Sequence, residues 1–266
     1  MRRVRLRDGT RAWCLERFEA LALDAHVAGY LAHGVDVRAG DVVFDVGANI
    51  GLFALRLLQR FRGDVTIATF EPVPDIHAVL ERNLEPWSGD RVHAMRCALS
   101  RAAGELEITY YPSGPALSTA HPALWSDQPD QLAAAVRGGA RHAPPGMRWG
   151  AWLPDAVLRV IARRLVRAPE KRRCEMRTVS DVMGELALDR IDLLKVDVEG
   201  AELEVLEGVA ADDWPRIRQV VAEVHDVDGR LATIVALLRG HGFTHVITEQ
   251  EPAFEGTWLH NLWARR

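Results

Sequence analysis

The stretch Val42-Val43-Phe44-Asp45-Val46-Gly47-Ala48-Asn49-Ile50-Gly51 constrains this chain more than any other, because it runs a buried-strand pattern into a glycine turn. Two glycines, Gly47 and Gly51, bracket the small Ala48 and the amide of Asn49. Such a turn lets the backbone bend sharply and approach a ligand with no Cβ in the way. Beyond it Leu52, Phe53, Leu55, Leu57 and Leu58 recur at helical spacing, so the unit reads strand, turn, helix. That is the opening of an α/β sheet with a nucleotide cradle above it.

The glycine spacing narrows the nucleotide. A dinucleotide fold seats a pyrophosphate on G-x-G-x-x-G, whose middle glycine makes room for the phosphates. Here the spacing is Gly-x-x-x-Gly, and Asp45 on the strand side of the turn would repel phosphate and suit a cation. A cationic adenosine cofactor fits. S-adenosylmethionine presents a sulfonium, an ammonium, a carboxylate and a ribose diol to an acid, to backbone amides and to a second acid. The second acid stands one strand–helix–strand unit further on: Val65 to Phe70 reads as a strand, and Glu71 at its end can accept both ribose hydroxyls. Either acid alone reads equally well as a strand-end cap; the two on successive strands mark a site.

Around this centre residues 1–40 read as an N-terminal hairpin about Asp8-Gly9 followed by a helix from Leu15 to Ala32, and residues 41–266 as the core. Arg91 to Leu99 is a third strand, whose end, Cys97-Ala98-Leu99-Ser100, reaches the same sheet edge with small residues that leave space for an adenine ring. Glu105 to Tyr111 is a further strand. Residues 112–173 then break the pattern with repeated prolines and glycines, a length far beyond an ordinary connection, which points to a lid that meets the substrate. Within it Ala123 to Val136 reads as helical, and a helix from Pro154-Asp155 sets Val157, Leu158, Ile161 and Leu165 against Arg159, Arg163, Arg164 and Arg167. The basic run through 155–173 suits a peripheral membrane contact, an anionic substrate or a carrier domain, or else a solvated outer face. Trp125, Trp149 and Trp152 add apolar surface for a bulky acceptor.

Order returns with a strand over Arg172 to Arg177 and a helix capped near Thr178. Core strands follow over Ile191 to Val198 and Arg218 to His225, then a helix to Leu238 and strands Phe243 to Thr248 and Thr257 to Ala264. Alternation puts Lys195 and Asp197 on one face, with Glu199 at the strand's end. A net charge of −4 gives no reason to expect a nucleic-acid partner. Three cysteines without a C-x-x-C pair suit a reducing cytoplasm, and the sequence carries neither a signal-peptide pattern nor an apolar run long enough to span a bilayer.

These residues resemble the FkbM-type S-adenosylmethionine-dependent methyltransferases. The resemblance runs from about Asp41 to His225 and rests on the Phe44-to-Gly51 turn, Phe70-Glu71-Pro72, Ala98-Leu99-Ser100, the Asp192-to-Glu202 run and Glu223-Val224-His225. It implies a class I methyltransferase fold, a Rossmann-like three-layer sandwich whose mostly parallel seven-stranded sheet has an antiparallel last strand. It also implies methyl transfer to a hydroxyl of a sugar, glycolipid or polyketide/peptide natural product, free or carrier-bound, with S-adenosylhomocysteine as product. The cofactor would meet Asp45, Gly47, Ala48, Asn49, Gly51, Glu71, Pro72, Ala98, Leu99, Ser100 and Asp197. The long arginine-rich insertion departs from the family, where a shorter connection holds a Ser-Ser-type stretch; Ser118-Thr119 takes that place here.

An attacking alcohol loses its proton, so the reaction needs a base. His225 is the first choice because neutral imidazole is available near neutral pH; Asp197, Glu199 and Glu223 are the others, with Lys195 pairing a neighbouring acid to hold the geometry. A divalent ion on Asp197, Glu199, Glu223 and His225 would be chemically sensible, but the spacing does not show it, and no metal is expected. A nicotinamide-dependent oxidoreductase is the rival enzyme reading, and a non-catalytic module docking a membrane or carrier protein is the rival outside enzymes.

Overall fold

In a computed structural model, which describes residues 1–142 and 152–266, the acid-ended apolar runs of the sequence become adjacent parallel strands. They are β3 (Val42–Val46), β4 (Thr66–Phe70), β5 (Val92–Met95), β9 (Leu193–Val196) and β10 (Gln219–His225), numbered in chain order with the elements introduced below. With β11 (His245–Glu249) and β12 (Leu259–Arg265) they form one seven-stranded sheet in the order β11-β12-β10-β9-β3-β4-β5. Only β12 runs antiparallel to its neighbours, pairing Gln219 with Arg265 and His245 with Arg265. Strands buried on both faces need helices on both sides, and the near-continuous apolar runs supply them. One face packs α2 (Leu52–Phe61) and α3 (Pro74–Leu84); α7 (Val179–Glu185), α8 (Glu202–Glu207) and α9 (Arg230–Gly240) supply the other. The implied class I architecture is what the chain adopts.

Three expectations change. The run 91–99 is two strands: β5 stays in the main sheet, and after Arg96 the chain turns into β6 (Cys97–Leu99), which joins β7 (Gly104–Tyr110) and β8 (Glu170–Arg177) in a separate sheet of order β6-β8-β7. Because β7 and β8 form an antiparallel ladder from Gly104–Met176 to Tyr110–Glu170, the insertion is the connection of one enlarged hairpin, and residues 170–173 belong to its strand. The basic run 155–173 is therefore helix α6 (Asp155–Leu165) followed by strand, not one amphipathic surface. On α6 Leu158 and Ala162 are buried, whereas Val157 and Val160 face outward, and Arg159 pairs with Asp130 of α5 (Pro129–His142).

Trp125, on the short α4 (Ala123–Ser126), is 4% exposed in a cluster with Tyr111, Leu132 and Trp258, so it braces the wall and offers nothing to an acceptor. Trp152 is exposed, and Trp149 lies outside the described residues. At the N-terminus β1 (Arg2–Arg5) and β2 (Arg11–Cys14) pair, among the described residues, only with each other, then α1 (Arg17–His26) and a short 3-10 turn to Tyr30 lead into the core. Val4, Leu6, Ala12, Cys14, Ala20 and Tyr30 join the same apolar cluster as Val43, Leu57 and Ile67, so residues 1–40 are part of the domain. No helix among the described residues is long and apolar enough to cross a membrane.

Candidate active site

The strand ends converge on a cavity of about 230 Å³. Its floor is the turn after β3. Gly47 has φ +73°, and a Cβ there would stand 1.7 Å from the Asp197 carbonyl oxygen, so the turn and the end of β9 meet at a distance only glycine allows. Gly47 and Ala48 donate backbone N–H to the Phe70 carbonyl, which ties the turn to β4. Gly47, Asn49, Glu71, Pro72, Ala98, Leu99, Ser100 and Asp197 line the cavity as the sequence suggests, and so does Glu199. Val73 and Ile76 join Ala98 and Leu99 in its apolar lining.

Three expected cofactor contacts, Asp45, Ala48 and Gly51, are placed elsewhere. Asp45 is completely buried below the turn, where Lys195 Nζ stands 2.9 Å from its Oδ1. The cation that Asp45 serves is a side chain of the protein. Lys195 also donates to the Gly47 carbonyl at 2.8 Å and lies 3.5 Å from Asp197 Oδ2, so it stitches β3, its turn and β9 together beneath the cavity. Burial works against its charge, but Asp45 and Asp197 more than offset this and raise its pKa. Gly51, at φ +79°, caps α2 against Leu80 and does not line the cavity. Ala48 borders a small adjoining void of about 20 Å³ with Tyr30 and Lys195.

Glu71 is 6% exposed, and its Oε1 accepts the Val73 backbone N–H at 2.9 Å. Burial pushes its carboxyl up to about 7, with the backbone N–H groups of Val73 and Asn49 pulling the other way. Glu199 sits at φ +54°, and the Gly200 that follows it has φ +102°. This sharp bend after β9 swings Glu199 back toward the cavity. Burial raises its carboxyl to about 7 against the opposing pull of His225.

His225 does not meet the cavity. It is fully buried, with Nδ1 3.0 Å from Glu202 Oε1, Nε2 3.2 Å from Glu199 Oε2 and its ring against Trp125. Burial alone would lower its pKa, but Glu202 and Glu199 raise it well above the ordinary value. The neutral imidazole expected beside the acceptor is thus a buried ring held between two acids, placed behind Glu199. Glu223, also buried, faces His26 Nε2 at 2.8 Å.

Several neighbours of these groups were invisible to sequence reasoning. Tyr30 Oη donates to Asp197 Oδ2 at 2.6 Å, and burial, then Asp197, push its pKa well up. His26 of α1 reads in the sequence as an ordinary helix histidine. From the insertion Pro115, Ala116, Ser118, Thr119, Ala120 and His121 form the cavity wall, and Thr119 Oγ1 donates to the Glu199 carbonyl at 2.5 Å. Ser118-Thr119, singled out by position, does reach the site.

A mostly parallel sheet of this order, with a glycine turn, a buried acid after the next strand and a cavity at its strand ends, is the arrangement of a class I S-adenosylmethionine-dependent methyltransferase. The methyltransferase FkbM domain matches residues 45–244, and the chain belongs to that family. It is 44% identical over 238 residues to 31-O-demethyl-FK506 methyltransferase FkbM of Streptomyces tacrolimicus, covering 89% of this chain and 85% of that protein. Methyltransferase sdnD of Sordaria araneosa is 37% identical over 212 residues, covering 76% and 73% respectively. Among solved structures, the N-terminal domain of human METTL16 in complex with SAH superposes with a TM-score of 0.44 at 12% identity, over 92% of this chain and 69% of that one, a likeness too loose to add to the strand order. The nicotinamide reading is set aside: the cofactor is S-adenosylmethionine.

Proposed function

We propose that the chain transfers the cofactor's methyl group to a hydroxyl oxygen of a small natural product of the sugar, glycolipid or polyketide/peptide kind. The observation that carries this reading is that two acids, Asp197 and Glu199, line the cavity together with Gly47 and Glu71. The close glycine turn at Gly47 leaves room for the methionine part, Glu71 suits the ribose hydroxyls and the small residues Ala98-Leu99 the adenine, an arrangement that would turn the sulfonium methyl toward Asp197 and Glu199. An alcohol held there attacks in line. The C–O bond forms, the S–CH3 bond breaks with its electron pair returning to sulfur, and the hydroxyl proton passes to the carboxylate cluster. Glu199 lines the cavity with its carboxyl raised to about 7, whereas Asp197, despite burial, is held low beside Lys195, so Glu199 takes the base role first given to His225. The 31-O-demethyl acceptor in the name of the Streptomyces relative supports oxygen as the target.

Incubating the protein with labelled S-adenosylmethionine and a panel of hydroxylated metabolites, read by mass spectrometry, tests the reading. An O-methyl product is expected, and transfer only to nitrogen or carbon would overturn it. Glu199→Gln should lower kcat by on the order of 100-fold while S-adenosylhomocysteine still binds in calorimetry. Near-normal turnover would remove Glu199 from the base role.

A further inference from the structure

Around Glu199 lies an arrangement of which methyl transfer as drawn uses only part. One carboxylate oxygen from each of Asp197, Glu199 and Glu223 lies within 4.8 Å of the others. Acidic groups cluster on many surfaces, but here two histidines point into the cluster. His225, fully buried, brings Nε2 to 3.2 Å from Glu199, and His26 brings Nε2 to 2.8 Å from Glu223. Each ring is held from its other side by a further acid: Glu202 takes His225 Nδ1 at 3.0 Å, and Glu251 faces His26 Nδ1 at 3.1 Å. Glu202 is itself fixed by the Gly200 backbone N–H at 2.6 Å.

Neither Nε2 makes a hydrogen bond of ordinary geometry, although each has a carboxylate oxygen within reach. Contact without alignment is what side-by-side ligands of one ion show. With bonds of about 2.1 Å at right angles, neighbouring donor atoms stand about 3 Å apart, and their lone pairs aim at the shared centre and not at each other. Carboxylates on the Nδ1 side are also the usual supports of metal-binding imidazoles, because they fix the tautomer that frees Nε2.

We propose that Asp197, Glu199 and Glu223 hold a divalent metal ion beside the cavity, with the Nε2 atoms of His225 and His26, which stand against Glu199 and Glu223, turning to it to complete its shell. Three carboxylates alone would suit magnesium or calcium; two imidazoles shift the preference to a borderline ion of the Mn²⁺ kind. Asp197 and Glu199 line the cavity, so an ion held by them would be within reach of the place assigned to the acceptor. There it would bind the hydroxyl oxygen and acidify it. That use rests on the function proposed above, whereas the existence of the site does not.

The full chain, stripped with chelator and titrated with Mn²⁺, tests the site by electron paramagnetic resonance. One tightly bound ion per chain is expected, with electron spin echo modulation from imidazole nitrogen in the unaltered protein. Glu223→Gln and His26→Gln should each weaken binding at least about tenfold, and His26→Gln should also diminish the nitrogen modulation. Glu223→Gln keeps shape and hydrogen-bonding capacity, and the nitrogen signal needs no variant at all, so misfolding cannot mask the result. Absence of a bound ion, binding without nitrogen coupling, or binding unchanged in both variants would overturn the proposal. Calorimetry with S-adenosylhomocysteine on the metal-free protein reads the donor site separately, so a failure of the metal site is distinct from a failure of the methyltransferase reading.

Discussion

Glu71 shows how a residue can be placed for function against stability. Its folded pKa of about 7 lies above its ordinary 4.5, so between those values the folded chain holds more protons than the unfolded one. Its contribution to stability therefore rises as pH falls through that window, and the burial cost is present in full above it. Glu71→Gln should raise Tm at about pH 8, with the difference fading toward about pH 5. The same change should weaken S-adenosylhomocysteine at least about tenfold, since one acceptor for the ribose diol becomes a donor. Thermal melts across pH and calorimetry read the two effects; equal Tm values at both pH extremes would contradict the first. The sequence shows Glu71 plainly because a strand ending in an acid is a local pattern. It could not show that Asp45 faces Lys195, 150 positions away, or that His225 turns inward to Glu202. Side-chain direction at a strand end depends on the bend that follows, and at Glu199-Gly200 that bend is left-handed.

At the scale of elements, the parallel strands and their order-setting helices were legible from apolar runs and glycine turns. The division of 91–99 was not, since the apolar residues continue across Arg96 and only pairing with β8 reveals the change of sheet. Most of the insertion read as breaks, yet the segment that forms the cavity wall is held by paired backbone bonds between Thr109 and Thr119 at 2.9 and 3.1 Å. Thr119→Val keeps the bulk and loses the bond to the Glu199 carbonyl, along with the one that Thr119 Oγ1 accepts from the His121 backbone. A loss of about 1 kcal/mol in stability is expected. Its kinetic signature should be a fall in kcat larger than any change in cofactor affinity, because the bend that aims Glu199 is loosened while the Gly47 floor is untouched. Steady-state kinetics with cofactor titration would show the reverse pattern if Thr119 serves the donor instead.

For the whole molecule, the boundary drawn near residue 40 has no physical counterpart. His26 and Tyr30 reach the carboxylates at the end of β9 and β10, and Trp263 of the last strand donates to the Tyr30 carbonyl at 3.1 Å. Helical spacing marked this segment as core-facing but gave no sign of what it faces, which is a contact between the two ends of the chain. A chain lacking residues 1–40 should not fold into a stable core, and the full chain should unfold as one unit with equal calorimetric and van't Hoff enthalpies. A separate folded transition from the truncated chain would contradict this.

The hairpin formed by β7 and β8 has a further consequence, in the language of polymer chains. Its seven residue pairs hold the two ends of the insertion side by side, so the connection between them is a loop already closed. Lengthening a closed loop costs entropy only as the logarithm of its length, about 0.6 kcal/mol for each doubling. The wall over the cavity can therefore grow, shrink or be exchanged at little thermodynamic expense, while Gly47 and Glu71, which follow other strands, stay in place.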